Sequence, residues 1–334
     1  MKPSILCPVD FSAASRAALA YAAAICEHFG SELVVMTAND PLLAEAAAMD
    51  SSAARVRDET LAELKRFFAA AVERRLKSGD VVFDVATGEP APEILRVARE
   101  RAIGLIVMSS HGLSGFRKMF FGSTTERVLR ETPAPVLVVP GDARGPANVE
   151  EAARSVRRVL APVLASRGAE QLTPVRAIAS ALGVPAILLH VVEPVRAVLP
   201  KGDHYLPSIE QERRARAEAQ LAEIAAGLPG VEPLIAYGES SEEIVKVARD
   251  RGVGLIVMAL QGSSLPGARI GSVTYRVLCS ARTLVLAIPA AVTPARGKIP
   301  AARKNPVSAT GRRARKLQER SAKSRIQSRH GACP

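Results

Sequence analysis

Tryptophan is absent from this 334-residue sequence, and aromatic residues make up only 4% of it. Any core must therefore be built from Ala, Val, Leu and Ile, which the 48% apolar content supplies. Long apolar runs are missing too. The stretch from Ala17 to Cys26 spans only ten residues, well short of the ~20 that a transmembrane helix needs. The opening MKPSILCPVDF has no long apolar stretch behind a basic one, so no secretory signal is expected. Four cysteines (Cys7, Cys26, Cys279, Cys333) lie far apart, with no CxxC and no zinc spacing, and a reduced cytoplasmic chain is the simplest expectation. Histidine occurs only at 28, 111, 190, 204 and 330. For His111 no second His or Cys stands at ligand spacing, and no nucleophile elbow is present.

The positive charge is concentrated in one place. From Ala291 to Pro334 twelve Lys and Arg face a single acid, Glu319, so +11 of the net charge of +12 lies in that segment. The body of the chain is nearly neutral. The segment has few large apolar residues and no aromatics, so it is expected to be a disordered basic tail over 291–334. It reads either as a solvated tail with no specific partner or as a contact for nucleic acid, anionic lipid or another anionic partner.

What is present is a repeat. GEPAPEILRVARERAIGLIVMSSHG, from Gly88, lines up with GESSEEIVKVARDRGVGLIVMALQG, from Gly238, at an offset of 150. GSTTERVLRETPAPVLVVP answers to GSVTYRVLCSARTLVLAIP, and ILCPVDFSAASRAALAYAAAICEHFG to VLAPVLASRGAEQLTPVRAIASALG. Each half is thus one structural unit. The expected organisation is a first domain over 1–141, a linker over 142–157 rich in Gly, Pro and charge, and a second domain over 158–290.

Within the first copy, apolar β-rich runs alternate with helical patterns. Strands are expected at Ile5–Val9, Leu33–Thr37, Val81–Val85, Leu105–Met108 and Val136–Val139. Between them fall a helix capped by Ser12 and ended by Gly30, a long one over Arg55–Lys77 facing inward through Leu61, Leu64, Phe68 and Val72, another over about Pro92–Arg101, and a last one from Ser123. Strands apolar throughout, with helices between them, imply an α/β fold with a parallel sheet covered on both faces.

The stretch SSHGLSGFRKMFFGST, residues 109–124, follows the fourth strand and leads into the last helix. Glycine lets a backbone approach an oxyanion closely and take positive φ, and helix N-termini present unpaired N–H groups to phosphate. Gly112, Gly115 and Gly122 precede Ser123-Thr124, with Arg117 and Lys118 as countercharge. On these residues alone, Gly122 and Ser123 are placed to give N–H groups, and Ser123 a hydroxyl, to a phosphate chain. A plain glycine-rich turn fits the same residues.

The stretches ILCPVDFSAASRAALAYA, SSHGLSGFRKMFFGST and APVLVVP together resemble a universal stress protein domain, and the chain resembles a tandem pair of them over roughly 3–140 and 157–289. Nucleotide-binding members of that family carry G-x2-G-x9-G-[ST]. Here Gly112, nine residues and Gly122-Ser123 meet the last two-thirds of the pattern, and Ser109 stands at the first glycine, on the ribose side. The resemblance implies two tandem Rossmann-like domains of the adenine nucleotide alpha-hydrolase kind, each a five-stranded parallel sheet with helices on both faces. It further implies binding of ATP or another adenine nucleotide, with Mg²⁺ a possible companion. Asp10, with Pro8 beside it, matches the residue that holds adenosine; Ala38 matches a backbone contact to adenine; Gly112, Gly122, Ser123 and Thr124 match the phosphate-binding stretch. Asp10 also suits a helix cap ahead of FSAAS, and the two roles are compatible.

The second copy departs at these positions. Leu164 replaces Asp10, Ala259 and Gln261 replace Ser109 and His111, and eight residues instead of nine separate Gly262 from Gly271, Pro266 among them. It reads as a degenerate copy that keeps Gly271-Ser272 to start a helix. In the family the last strand pairs across a dimer axis, so Val136–Val139 and Leu284–Ile288 are expected to pair within the chain as a pseudo-dimer, with a further homodimer possible. The expected function is a regulatory, stress-related adenine-nucleotide-binding protein with one competent site, in the N-terminal half. His111 lacks catalytic partners and reads as a locally bonded loop residue, so any ATP hydrolysis should be slow. The alternative is a nucleotide-free scaffold whose tail binds an anionic partner.

Overall fold

The computed structural model describes residues 3–42, 53–72, 76, 78–111, 122–164, 172–194, 196–199, 202–205, 207–226, 230–260 and 270–289. Both copies lie in one compact unit over residues 1–297, and the tail expected over 291–334 is outside the described residues.

In the first half β1 (Ser4–Pro8), α1 (Ala13–Phe29), β2 (Glu32–Asn39), α2 (Ala53–Val72), β3 (Val81–Thr87), α3 (Pro90–Glu100), β4 (Leu105–Ser109), α4 (Ser123–Glu131) and β5 (Val136–Val139) alternate along the chain. A short helix, α5 (Val149–Ser155), lies in the connector. The second half repeats the pattern with β6 (Val159–Pro162), α6 (Thr173–Leu182), β7 (Ala186–Val192), α7 (Pro207–Ala226), β10 (Val231–Tyr237), α8 (Ser240–Asp250), β11 (Leu255–Leu260), α9 (Ser272–Ser280) and β12 (Leu284–Pro289). Between β7 and α7 it inserts a hairpin, β8 (Arg196–Leu199) and β9 (Gly202–Tyr205), which the sequence reading did not anticipate.

Strands of each half are parallel, in the orders β3-β2-β1-β4-β5 and β10-β7-β6-β11-β12. β5 pairs antiparallel with β12, Leu137 opposite Leu286, which joins the halves into one ten-stranded sheet. Each of these strands would otherwise be an open edge. The strands β1, β4 and β5 are apolar on both sides because both sides are covered. Ile5 and Cys7 pack with α1 on one face. Leu6 packs on the other with Ile94 and Leu95 of α3 and Val128 and Leu129 of α4. Each layer of core runs unbroken from one half into the other.

Local signals explain the helix ends. Ser12 caps α1 by accepting from Ser15 N at 3.0 Å, and Gly30 ends it in the left-handed region at φ 63°. The inward face of α2 runs through Leu64, Phe67 and Val72, with Leu61 and Phe68 partly buried against the same core and the Phe68 ring edge-on to Phe83. Helix α1 is buried nearly all round, from Ala17 to Ala24, because the connector folds onto it. Ala143 and Ala152 pack into its core cluster, and a Cβ on Gly145 would stand 2.7 Å from that of Ala20. The segment 142–157 is therefore partly folded onto the first half rather than a plain tether.

The duplication exposes one strained residue. Ala102 ends α3 at φ 47°, and its counterpart is Gly252 at φ 61°. A left-handed alanine costs roughly 1–2 kcal/mol, of which the looser unfolded chain of a glycine variant takes back part. Ala102→Gly is expected to raise stability by about 0.5–1 kcal/mol in urea denaturation.

Candidate functional site

The parallel strands β1 and β4 lie side by side, yet the chain leaves them on opposite faces of the sheet, toward α1 and α4. Such a switch opens a crevice beyond the carboxyl ends of the two strands. Pro8 ends β1 and is half-buried, Asp10 follows it half-buried, and Ala38 sits half-buried near the end of β2. Ser109 ends β4, while Gly122, Ser123 and Thr124 open α4. Gly112 lies outside the described residues, with Gly115, Arg117 and Lys118.

At the end of β1 the backbone Val9 N donates to Met36 O at 2.8 Å, which extends the ladder with β2 up to Asp10. Asp10 Oδ1 accepts from Ser12 N at 3.1 Å, closing a turn in which Phe11 takes φ 62°. A bulky residue in that region is strained, and such strain collects at functional sites. Packing holds it there: the Phe11 ring lies edge-on to Phe67 at 5.5 Å, and the Arg16 guanidinium covers Phe67 at 4.6 Å. The helix cap is thus Ser12, and Asp10 belongs to the turn before it.

On the β4 side the geometry differs from the sequence reading in two respects. Gly122 has φ −61°, so positive φ is not why glycine stands there. Its N–H, expected to face phosphate, donates to Ser110 O at 3.0 Å, and a Cβ on it would lie 3.4 Å from that oxygen. By helix geometry the N–H groups next in line, those of Ser123 and Thr124, have no partner within α4. Ser109 is buried, and its hydroxyl donates to His111 O at 2.8 Å while Thr125 Oγ1 donates to Ser109 O at 2.9 Å.

Sequence reasoning missed Ser110 and Gly141. Ser110 is 3% exposed. Its Oγ accepts from Gly141 N at 2.9 Å and lies 2.8 Å from His111 Nδ1. His111 is locally bonded, through a residue 31 positions from Gly141. The signal was in the repeat: Ser110, His111 and Gly141 stand opposite Leu260, Gln261 and Ala290.

Burial pushes the Cys7 thiol far up, which keeps it protonated and unreactive. Among the described residues no three His, Cys, Asp or Glu side chains cluster to hold a metal, and no helix is long and apolar enough to cross a membrane.

The matching corner of the second half keeps the frame and loses the chemistry. Gly271 starts α9 at φ −67° as Gly122 starts α4, and Thr274 Oγ1 donates to Ala259 O at 3.4 Å, a looser copy of the Thr125 bond. Leu164, 45% exposed, takes the place of the carboxylate. His190 in β7 bonds Val163 O through Nδ1 at 3.0 Å. Glu193 is bound to Ser240, whose hydroxyl donates to it at 2.5 Å. At the start of α8 the Ser241 hydroxyl, followed by Glu242 N–H and the Arg276 charge, holds the Glu239 carboxyl below its ordinary range.

Comparison with known proteins agrees with this architecture. The chain is similar to Universal stress protein YxiE of Bacillus subtilis, 34% identical over 113 residues, which is 34% of this chain and 75% of that one. It is similar to Universal stress protein MJ0577 of Methanocaldococcus jannaschii, 29% identical over 154 residues, covering 42% of this chain and 95% of that one. The crystal structure of a universal stress protein from Archaeoglobus fulgidus shares the fold, with a TM-score of 0.61 at 21% identity over 86% of this chain and 98% of that chain. The Universal stress protein family matches residues 1–140 and again 155–289, so both halves carry its pattern and the chain belongs to that family.

Proposed function

We propose that this universal stress protein binds an adenine nucleotide, ATP foremost, at one site in its N-terminal half and uses the bound state for regulation in the stress response. The observation that carries this reading is the contrast between the two switch points. The first brings Asp10, Ala38, Ser109 and the start of α4 to the carboxyl ends of β1, β2 and β4. The second builds the same frame with Leu164 in place of the carboxylate.

Each residue has a role its chemistry suits. The Asp10 carboxylate, oriented by Ser12 N, accepts from ribose hydroxyls. The backbone beside Ala38 receives adenine, with Pro8 shaping the floor and Ser109 closing the ribose side. Gly112 and Gly122 allow close approach of the phosphates. Ser123 and Thr124 offer helix N–H groups and hydroxyls to them. Mg²⁺ would arrive with the phosphates, since no carboxylate cluster among the described residues holds it. Asp10, the one carboxylate among these residues, is engaged by Ser12 N and assigned to ribose, which favours binding over turnover as the activity.

Protein purified without added nucleotide and then denatured is expected to release an adenine nucleotide, read by mass spectrometry at up to one per chain. The charge of +11 over 291–334 favours a second reading, a nucleotide-free scaffold with an anion-binding tail. Under that reading no nucleotide is released and none binds on titration.

A further inference from the structure

We infer that Ser110, His111 and Gly141 form a latch that positions the phosphate-binding loop, with His111 a positioning residue for the phosphates and not for adenosine. The inference rests on the nucleotide reading of the same site.

Ser110 bonds through every group it has. Its N–H donates to Val139 O at 2.8 Å, its carbonyl accepts from Gly122 N at 3.0 Å, and its hydroxyl accepts from Gly141 N at 2.9 Å. The hydroxyl hydrogen remains, and a buried O–H without an acceptor is costly. His111 Nδ1 stands 2.8 Å away. It accepts that hydrogen in the tautomer that carries its N–H on Nε2. The imidazole is seated on Gly141, where a Cβ would come within 3.0 Å of Nδ1. Both ends of the loop between 111 and 122 are therefore tied to one buried residue, and that residue is tied to the end of β5.

The fold does not need this arrangement. The second half turns from β11 into α9 through the same glycine cap, with Leu260 where Ser110 stands, Gln261 where His111 stands and Ala290 where Gly141 stands. Leu260 is buried in the core and offers no hydroxyl. The three latch residues are lost together, in the half that also lost the carboxylate. A device that is dispensable for the corner and present only beside Asp10 serves the ligand. Because it grips the loop and not the ends of β1 and β2, its effect falls on the phosphates.

The test is calorimetric titration of ATP and of adenosine into nucleotide-stripped, full-length protein. His111→Ala is expected to weaken ATP binding about tenfold, the worth of one well-formed hydrogen bond, with adenosine affinity unchanged and the urea midpoint lowered by the Ser110 hydroxyl left without its acceptor. Gly141→Ala, whose methyl displaces the imidazole, should reproduce that split. His111→Asn, whose amide oxygen accepts the Ser110 hydroxyl, should restore most of the ATP affinity. Wild-type ATP affinity in His111→Ala overturns the latch, as does an equal loss of ATP and adenosine in both His111 variants. Wild-type protein that binds neither ligand overturns the nucleotide reading and this inference with it.

Discussion

Asp10→Ala is expected to bind ATP about 100-fold more weakly than the wild type while unfolding within about 1 kcal/mol of it. The removed group is an ionised acceptor, and hydrogen bonds to charged groups contribute roughly 1.5–3 kcal/mol each. One or two such bonds to ribose hydroxyls amount to that loss in affinity. The fold should tolerate the change. A bond lost inside the protein is the one from Ser12 N at 3.1 Å, and α1 keeps its own cap through Ser12 and Ser15 N. Phe11 stays pinned on Phe67. Isothermal titration of stripped protein reads the first quantity and urea denaturation the second. Undiminished affinity in Asp10→Ala would remove the carboxylate from the site. The reciprocal change, Leu164→Asp, should create no second site, because that half also lacks the loop spacing and the latch.

The largest stability effect is expected in the half without the site. Gly254→Ala should lower stability by about 3 kcal/mol, the upper end of what overpacking costs. A Cβ at Gly254 would stand 2.0 Å from Ser155 O and 2.5 Å from Val156 Cα. Both are backbone atoms at the end of α5, so no side chain can swing aside. The repeat supplies the control. Gly104 occupies the same place before β4, and the nearest atom to its Cβ would be Ser4 O at 3.7 Å. Gly104→Ala is expected to cost under ~1 kcal/mol. Equal urea midpoints for the two variants would mean that α5 yields its position freely.

Much of this architecture was legible because its causes are local. A run such as LIVM, buried on both faces, announces a covered parallel strand. Ser12 and Gly30 mark the ends of α1 through bonds that span three or four residues. The degenerate state of the second half is legible for a different reason: the chain carries its own comparison, and Leu164 against Asp10 is a difference in chemistry whatever the conformation. The hairpin β8–β9 was not legible. Its two short strands pair only with each other, and β9, GDHY, carries no apolar run.

The site was legible in part. The family resemblance placed Asp10 and the loop after β4 at the ends of neighbouring strands, and the structure supplied the pairing of β1 with β4 that opens the crevice. Sequence could not say that Gly122 keeps an ordinary φ, nor that its N–H turns back to Ser110. Ser110 passed unnoticed because the partner that gives it meaning, Gly141, lies 31 residues away.

By itself the sequence determined the two copies, their alternating elements, their caps, and which copy retains the carboxylate. These depend on side-chain type and on spacings of a few residues. The pairing of β5 with β12 was expected from the family resemblance and not from the residues themselves. Only the tertiary structure decided that the connector folds onto α1 and that Ser110 bonds Gly141 beyond the end of β5. Each of these joins groups distant in the chain, and such pairings are selected by how the whole core closes, not by the residues that happen to meet.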